Sequence, residues 1–595
     1  MQPSARDGSA LVQRQGSAVT GLAADPPPGP VPARHKWPAA RAVVVRSRVG
    51  RGTPVSPGIL FPAVLSRANA NEWTDVAVVG AGIGGLTAAA LLADAGLRVL
   101  VLEAHSQSGG CAGTFRRQRW TFDVGATQVA GLEPGGIHGR LFAHLGVEAP
   151  AADRLDPACV VHLPGEREGI PIWLDRRRWA EERLRQFPGS QRFWRLCGWL
   201  QQASWNFAGR DPVLPPRTPW DLSQLLAALR PDTLASGLFT RASVADLLRL
   251  CSCSTDRRLR QFLDLQLKLY SQEPAERTAA LYGATVLAMA QQPLGLWHLQ
   301  GSMQVLSDCL ERALGRAGGV LRCGRRVTGL QSVTDGWQLQ VEKAGPRSQS
   351  AEPRCVAAHQ VVLNLPVQNL PELLGDQLPA AYRRRVEHLP EGSGALVLYG
   401  AVPRHLLPRN CPVHLQLLRD GERPMTDANS LFVSVSSEGD GRAPEGEATV
   451  IASSFTSPGS WQNLDRQQRQ ARKLALRQAM HEGLETLLGI RRDQFLHSEL
   501  ATPRAFAHYT GRRQGIVGGL AQRPELFGPF GFSTRLPLPA AWLVGDSVYP
   551  GEGTAGVSLA AVTLARQLLR QLGRTLVLPD RACQGNGGGG SLLLQ

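Results

Sequence analysis

The chain has 595 residues, of which 43% are hydrophobic and 19% are charged. These proportions are typical of globular proteins and argue against a mainly disordered or fibrous chain. Because a single core stops growing near ~250–300 residues, we expect two or three cores. No stretch approaches the ~20 consecutive apolar residues that cross a bilayer, so a multi-pass membrane protein is not expected.

The formal net charge of +16 comes almost wholly from arginine, since the lysines are Lys36, Lys268, Lys343 and Lys473. The basic residues are spread along the chain, and no zinc finger, helix-turn-helix or RNA-binding signature accompanies them. We therefore expect no nucleic-acid partner. The ten cysteines form no CxxC pair, which predicts a reducing compartment and no metal site.

Residues 1–72 form a leader of different composition. Residues 1–70 hold ten prolines and nine Arg or Lys against two Asp or Glu. Such a segment does not bury enough apolar surface to offset its chain entropy. Three interpretations stay open, a disordered tail, a targeting peptide and a stretch included by a misassigned start codon. We favour the tail or the misassigned start, and assign the leader no function.

The first regular pattern begins at Trp73. An apolar run over residues 74–79 predicts a strand, and an Ala- and Leu-rich run over residues 86–95 predicts a helix that ends at Gly96. Residues 98–102 predict a second strand. Strand, turn, helix and strand within about thirty residues indicate a right-handed βαβ crossover.

The turn between this strand and helix carries Gly80, Gly82, Gly84 and Gly85. Gly80 permits a tight turn, Gly82 lets the backbone approach a pyrophosphate, and Gly85 allows close packing of helix on strand. The helix N-terminus attracts the phosphates. Glu103 ends the second strand about twenty residues on, where a carboxylate accepts hydrogen bonds from an adenosine ribose. An acid at this position disfavours NADP.

Two later segments favour FAD over NAD as the bound cofactor. Three glycines, Gly109, Gly110 and Gly113, follow the second strand directly. Near the C-terminus an apolar strand over residues 541–544 again ends at a glycine and an acid, Gly545 and Asp546.

A glycine-rich turn containing Gly553 then opens a helix predicted over residues 558–572. We expect Asp546 to bond the ribityl or phosphate-side hydroxyls. The backbone N–H groups of Gly556 and Val557, at the helix N-terminus, are expected to face the flavin carbonyl that gains negative charge on reduction.

Three further segments add to these motifs, namely residues 293–304, 502–512 and 545–551. Together they resemble the cyanobacterial carotenoid C-3′,4′ desaturases, relatives of carotenoid isomerases and retinol saturases in the FAD superfamily of phytoene desaturases and amine oxidases. The resemblance implies FAD and a backbone contact from Val327 to the adenine. In one departure, Cys111 stands where many relatives carry the arginine of a phosphate contact.

The resemblance also implies the fold class. We expect an α/β protein with a Rossmann-like FAD-binding domain, built on a parallel sheet with glutathione-reductase-type elements, and an inserted α+β substrate domain. The predicted segments are a leader (1–72), three FAD-binding parts (73–134, 296–374 and 501–578), two substrate-domain parts (135–295 and 375–500) and a flexible tail (579–595).

Within the substrate part, arginines and five tryptophans are interleaved over residues 173–205. A helix over residues 191–207 would place Phe193, Leu196, Cys197 and Leu200 on one face. This pattern fits a membrane-docking surface or an ordinary buried helix, and we favour the buried helix. The apolar run over residues 279–290 is too short to span a bilayer and is expected to line a tunnel or pack in the core.

The resemblance implies an FAD-dependent oxidoreductase that introduces a C-3′,4′ double bond into a hydroxylated monocyclic carotenoid, on the route to myxoxanthophyll-type pigments. The flavin supplies the redox chemistry and the protein supplies alignment and a dry tunnel. The implied partners are an apolar polyene and quinone or oxygen as electron acceptor. No catalytic base stands out. His298 and Tyr509 are candidates to flank the flavin, but a lone histidine near a loop is more often structural, and we favour that interpretation for His298.

Three alternatives stay open. A carotenoid cis-trans isomerase would use reduced FAD without net oxidation. An amine oxidase commonly keeps a lysine near the flavin, and Lys268 lies in an apolar helical run, which argues against this class. A flavin- or carotenoid-binding protein without turnover is the third. Because the substrate is lipid-soluble, we expect a cytoplasmic protein peripherally attached to the plasma or thylakoid membrane.

Overall fold

The structure, a computed structural model, describes residues 72–345 and 354–579. The predicted leader and tail therefore lie outside the described residues, apart from Glu72 and Pro579. Among the described residues, no helix has both the length and the hydropathy to cross a membrane.

The strands, in chain order, are β1 (Glu72–Val79), β2 (Val99–Leu102), β3 (Thr114–Arg117), β4 (Trp120–Asp123), β5 (Val129–Ala130), β6 (Ala152–Arg154), β7 (Cys159–His162), β8 (Ile170–Ile172), β9 (Leu296–Leu299), β10 (Val320–Arg322), β11 (Arg325–Val333), β12 (Gly336–Lys343), β13 (Arg354–Leu363), β14 (Gly394–Pro403), β15 (His414–Leu418), β16 (Ser430–Val435), β17 (Glu447–Thr456), β18 (His497–Ala501) and β19 (Ala541–Leu543).

The α-helices are α1 (Ile83–Asp94), α2 (Ile137–Leu145), α3 (Arg176–Gln186), α4 (Gln191–Ala208), α5 (Pro219–Ala228), α6 (Pro231–Ser236), α7 (Val244–Leu250), α8 (Arg257–Ser271), α9 (Ala280–Val286), α10 (Gln304–Arg316), α11 (Leu370–Leu374), α12 (Ala380–Glu387), α13 (Arg466–Leu488), α14 (Pro503–Thr510) and α15 (Thr554–Gln571).

The first sheet carries the predicted βαβ crossover. Its strands run β10-β2-β1-β13-β12-β11, and β19 pairs with β13. The pairs β1/β2, β1/β13, β2/β10 and β13/β19 are parallel, whereas β11/β12 and β12/β13 are antiparallel. Strands of a parallel sheet are covered on both faces, which explains the unbroken apolar runs of β1 and β2. Helix α1 is correspondingly buried along nearly its whole length.

The second sheet has the order β18-β14-β17-β16-β15-β7-β8. Helix α13 packs its buried residues, including Met480 and Leu484, against one face of this sheet. Its strands come from two stretches of the chain, residues 159–172 and 394–501, on either side of elements of the first sheet. This is the mixed α/β architecture expected from the sequence. The boundaries proposed for the individual segments stay predictions.

Helix α4 is a buried helix, the alternative that we favour from the sequence. Phe193, Cys197 and Leu200 are buried and Leu196 is partly buried in the cluster formed with α3, α7, α8 and α9. Helix α9 belongs to the same cluster, so the apolar run over residues 279–290 packs in a core. Neither segment lines the large cavity described below.

A buried ion network joins β4, β9 and the loop between β16 and β17. Arg442 donates from Nε and Nη2 to Asp123 at 3.1 and 3.0 Å, and from Nη1 to Asp440 at 3.1 Å. His298 Nε2 lies 2.9 Å from Asp440. All four side chains are almost fully buried. Asp123 ends β4 and accepts from the Met303 N–H at the start of α10, so the network ties a hairpin beside the first sheet to the loop between β16 and β17.

We predict that Arg442→Met lowers the free energy of unfolding by ~3–5 kcal/mol, because it leaves the carboxylates of Asp123 and Asp440 buried without their counter-ion. Urea unfolding followed by circular dichroism measures the change. The control is Arg177→Met, which removes the ion pair to Glu181, exposed on both sides, and should cost less than ~1 kcal/mol. Equal effects of the two substitutions would contradict the assignment.

Candidate functional site

A cavity of about 1140 Å³ opens at the carboxyl ends of the parallel strands. Val79, Leu102 and Val544 line it where β1, β2 and β19 end, and Asn364 lines it just after β13. In open α/β sheets, ligands bind in the crevice outside the carboxyl ends of the strands. The cavity continues from this edge to the second sheet and helix α8, whose Leu265 and Leu269 also line it.

The glycines of the first turn are required by close backbone approach. Gly80 has φ +98°, and a Cβ there would lie 2.8 Å from the Asn364 carbonyl oxygen. A Cβ on Gly82 would lie 2.9 Å from Asn364 Nδ2, and one on Gly85 would lie 2.2 Å from the Gly80 oxygen. Larger residues would therefore displace the start of α1. Gly80, Gly82 and Gly84 line the cavity, whereas Gly85 lies behind them as a packing residue.

Glu103 reaches the same edge and is already bound to the backbone. Its Oε2 accepts from the Ala81 N–H at 2.7 Å and its Oε1 from the His105 N–H at 2.7 Å. The carboxylate thus fixes the glycine turn. Each oxygen keeps further acceptor capacity for a hydroxyl in the cavity.

The second glycine segment docks on the first. The Gly109 N–H donates to the Ala81 oxygen at 2.9 Å, and Gly109 and Gly110 have φ values of +106° and +58°. A Cβ on Gly109 would lie 2.9 Å from the Gly113 Cα. All three glycines line the cavity, so the two turns form one continuous backbone wall.

The C-terminal segment completes the wall but corrects one expectation. Helix α15 begins at Thr554, four residues before the predicted start, and Gly553 with φ +89° is its N-cap. The Val557 N–H donates to the Gly553 oxygen at 3.0 Å. It is therefore engaged in the helix, and a flavin carbonyl would meet the N–H groups of the first three helical residues, of which Gly556 is the last.

The remaining predicted residues fall on either side of this helix start. Val557 lines the cavity with its side chain, whereas Gly556 packs against the turn, where a Cβ would lie 2.7 Å from the Gly551 oxygen. Gly545, with φ +112°, and Asp546 follow β19 and line the cavity, as does Val327 on β11. Twelve of the fourteen predicted residues thus line one cavity, Gly85 and Gly556 being the exceptions.

Asn364 is a site residue that the sequence reasoning missed. Its N–H donates to the Val79 oxygen at 2.9 Å and its Nδ2 to the Gly80 oxygen at 3.3 Å. Its side chain also lies against the positions that a Cβ would occupy on Gly82, Gly84 and Gly545. The signal was a polar residue directly after the buried strand over residues 360–363.

Arg512 provides a buried guanidinium inside the cavity. Its Nη2 lies 2.6 Å from Asp546 Oδ2, with both side chains less than a fifth exposed. Burial lowers the pKa of Arg512, but the charges of Asp546 and Cys111 outweigh that effect and raise it above its usual range. Burial raises the pKa of the neighbouring Cys111, against a smaller opposing effect of Arg512. A guanidinium thus lies beside Cys111, although it comes from a distant part of the chain.

A second set of polar groups lies at the helical end. Gln272 Nε2 donates to Glu552 Oε2 at 3.2 Å and to the Gly518 oxygen at 2.6 Å. Lys268 Nζ donates to the Gln272 oxygen at 2.5 Å. Burial raises the pKa of Glu552 well above its usual value, and burial lowers the pKa of Lys268. Lys268 lines the cavity. Its position in an apolar helical run therefore does not show that it lies away from the site.

The two candidates for flanking the flavin lie apart. His298 belongs to the buried network with Asp440 and does not line the cavity. Tyr509 lines the cavity but is 55% exposed, with its ring 6.0 Å from that of His105. His298 is therefore structural.

The arrangement fits an extended dinucleotide with a flavin. The backbone wall lacks Cβ atoms where a pyrophosphate must approach, and Glu103 and Asp546 lie at separate places along it. Val327 and the glycine turns would hold the adenine half, and Asp546 with the start of α15 would hold the flavin half.

We predict that Gly85→Ala lowers the FAD content of the purified protein at least tenfold, because its Cβ would lie 2.2 Å from a backbone oxygen. The absorption ratio of flavin to protein measures this content. Gly315→Ala is the matched control, since that helical position has no atom within 4 Å of the added Cβ and alanine favours helix by ~1 kcal/mol. An unchanged flavin ratio in Gly85→Ala would contradict the proposed packing role.

The raised pKa of Glu552 predicts how stability depends on pH. Between the ordinary carboxyl pKa and the raised folded value, the folded protein holds a proton that the unfolded chain has released. Stability from this group therefore falls as pH rises through that window. Glu552→Gln should remove this part of the decline while keeping an acceptor for Gln272. Thermal unfolding of both proteins from pH 4 upward measures it, and parallel curves would contradict the assignment.

Comparison with known proteins agrees with this geometry. The family model described as flavin containing amine oxidoreductase matches residues 83–568. Prolycopene isomerase 1, chloroplastic, of an Oncidium hybrid cultivar is 25% identical over 570 residues, which cover 92% of this chain and 94% of the relative. The all-trans-retinol 13,14-reductase of Danio rerio is 28% identical over 262 residues, 42% of this chain and 41% of that protein.

Among solved structures, cyclohexylamine oxidase from Brevibacterium oxydans superposes with a TM-score of 0.53 at 18% identity, covering 83% of this chain and 99% of that one. A likeness at this identity concerns the fold. The family match, by contrast, spans the second sheet, the first sheet apart from β1, and the glycine wall apart from Gly80 and Gly82. This chain is an FAD-dependent oxidoreductase that belongs to the flavin containing amine oxidoreductase family.

Proposed function

We propose that this enzyme is a carotenoid desaturase that introduces the C-3′,4′ double bond into a hydroxylated monocyclic carotenoid. The observation that carries the proposal is the continuity of the cavity, which joins the glycine wall to an apolar end. That end is lined by Leu265, Leu269, Leu431, Phe432 and Phe455. The names of the relatives, a prolycopene isomerase and a retinol reductase, support a polyene as the substrate class.

When bound, FAD supplies a hydride acceptor for an allylic carbon of the substrate. The chain's own residues align the polyene and receive the proton that leaves the neighbouring carbon. Glu552 is the carboxyl group at the junction of the glycine wall and helix α8. In its ionised form it is the group that we assign as proton acceptor.

A cis-trans isomerase acting on a carotenoid is the second candidate, and one observation favours it. Because the pKa of Glu552 is raised by burial, its carboxyl group stays protonated to higher pH and can donate a proton to a polyene carbon. Proton return after rotation about the weakened double bond would complete an isomerisation without net oxidation.

The charges of the cavity do not decide against an amine oxidase. Lys268 lines the cavity, as the lysine of that class would, and burial lowers its pKa. A polyene is favoured over an amine by the names of the relatives, a prolycopene isomerase and a retinol reductase.

The test is anaerobic mixing of the purified flavoprotein with a hydroxylated monocyclic carotenoid in detergent. We expect loss of the oxidised flavin absorption together with a product absorbing at longer wavelength, because desaturation lengthens the conjugated system. A product of unchanged conjugation length, formed after prior reduction of the flavin, would establish the isomerase instead. A flavin reduced by an amine and by no polyene would reject both candidates.

The pH profile gives a separate prediction. Desaturation that uses Glu552 as the base should accelerate as pH rises through its raised pKa, whereas isomerisation that uses it as the acid should slow over the same range. Single-turnover rates with wild type and Glu552→Gln measure this. We expect the variant to lose at least ~100-fold in rate together with its pH dependence. An unaltered profile in the variant would remove Glu552 from the mechanism.

A further inference from the structure

An exposed apolar surface lies on the helices that follow α4. Of the twelve large apolar side chains exposed among the described residues, six lie between Trp199 and Leu250. Four leucines of α5, α6 and the turn after α6 are the centre of this group, with exposed fractions of 46, 57, 61 and 86%, namely Leu222, Leu226, Leu234 and Leu238. Soluble proteins leave single apolar side chains exposed, but a clustered group marks a contact surface.

These elements adjoin one another. Arg210, which follows α4, donates to the Ala228 oxygen at the end of α5 and reaches Asp232 on α6 at 3.5 Å. The rings of Trp199 on α4 and Phe239 after α6 lie 6.3 Å apart. The leucines are therefore carried by neighbouring helices.

The charges around the leucines are in excess positive. Arg217, Arg230 and Arg241 are exposed, and among the described residues no carboxylate lies within ion-pair distance of any of them. The two acids of this segment are occupied elsewhere, since Asp221 is paired with Arg535 and Asp232 with Arg210. We call the four leucines and these three arginines the leucine–arginine surface.

A chain of contacts connects this surface to the cavity. The Arg241 guanidinium lies 4.9 Å from the centre of the Phe530 ring. Three residues earlier, the Phe527 ring lies 5.6 Å from those of Tyr282 and Tyr549. The Tyr282 hydroxyl donates to the Tyr270 oxygen at 2.8 Å, and Tyr270 lines the cavity.

We propose that the leucine–arginine surface docks on an anionic lipid bilayer, with the leucines inserted at the interface and the arginines against the headgroups. Exposed leucines beside arginines that have no carboxylate partner fit both parts of such an interface. A protein partner would require acidic groups placed opposite each arginine, whereas a bilayer requires only a negative surface. The link to the cavity rests on the proposed function, since only a lipid-soluble substrate gives the enzyme a reason to sit there.

The test is co-sedimentation of the flavin-loaded full chain with vesicles of phosphatidylglycerol and phosphatidylcholine in equal parts, and with vesicles of phosphatidylcholine alone. We expect binding to the anionic vesicles to exceed binding to the neutral ones. The double variant Leu234→Ser with Leu238→Ser should lose at least about tenfold in affinity for each leucine. Arg217→Gln, Arg230→Gln and Arg241→Gln together should lose about fivefold for each arginine and most of the preference for anionic lipid.

The matched control is Leu474→Ser with Leu496→Ser, two leucines exposed to 49 and 45% outside this surface, which should bind as wild type. Every variant should keep its flavin and its turnover of detergent-solubilised carotenoid. Equal vesicle binding of all variants would overturn the proposal, as would a dimer in light scattering that the leucine substitutions dissociate. Loss of vesicle binding is measured without carotenoid, so it is separable from failure of the proposed function.

Discussion

Three chain segments pack closely against one another at the carboxyl edge of the first sheet, and the rest of the structure depends on this contact. The Gly80 to Gly85 turn, Asn364 and Gly545 lie so near one another that a single added Cβ would contact backbone or amide atoms. This approach depends on the register of β1, β13 and β19. A one-residue slip in any of these strands would move the turns apart and place each side chain on the opposite face of the sheet, out of its packing position. The cofactor site and the core of the sheet are therefore specified together.

Two pairs of ionisable side chains line the cavity, Arg512 with Asp546 and Glu552 with Lys268. Near the glycine wall, the ion pair of Arg512 and Asp546 neutralises itself, which leaves the carboxylate available as an acceptor without adding net charge. At the helical end, Glu552 and Lys268 each carry a pKa moved toward the neutral form by burial. Both effects reduce the free charge in the cavity, which suits the apolar substrate that we propose. The low dielectric that shifts these groups also strengthens the interactions they make.

The sequence predicted the parts of the site that are local along the chain. Gly80, Gly82 and Glu103 are recognisable because the strand-turn-helix unit that contains them is formed by neighbouring residues. Tertiary packing decides the rest. Arg512 reaches Asp546 from a turn after α14, and nothing in its own segment reveals that its guanidinium lies beside Cys111.

Two sequence-based predictions were wrong, the start of α15 and the environment of Lys268. Pro550, Gly551 and Gly553 are typical of a turn, and Gly556 extends the glycine pattern past Thr554, yet α15 begins at Thr554 with Gly553 as its N-cap. Lys268 was assigned to an apolar environment from its neighbours, and that environment proved to be the cavity wall. An apolar periodicity shows which face of a helix is covered. It does not distinguish a core from a ligand cavity, since both exclude water.

The character of the apolar end bears on the chemistry itself. Removal of a hydride from a polyene leaves positive charge spread over the conjugated carbons, so a nearby cation would oppose the reaction. Lys268 lies 5.3 Å from the centre of the Phe455 ring, and burial weakens its hold on its proton. The rings of Tyr270, Phe432 and Phe455 line the same region, and aromatic faces attract positive charge by ~0.5–2 kcal/mol each. A wall of this kind would stabilise positive charge that develops on a bound substrate, which is what the proposed hydride removal from a polyene requires.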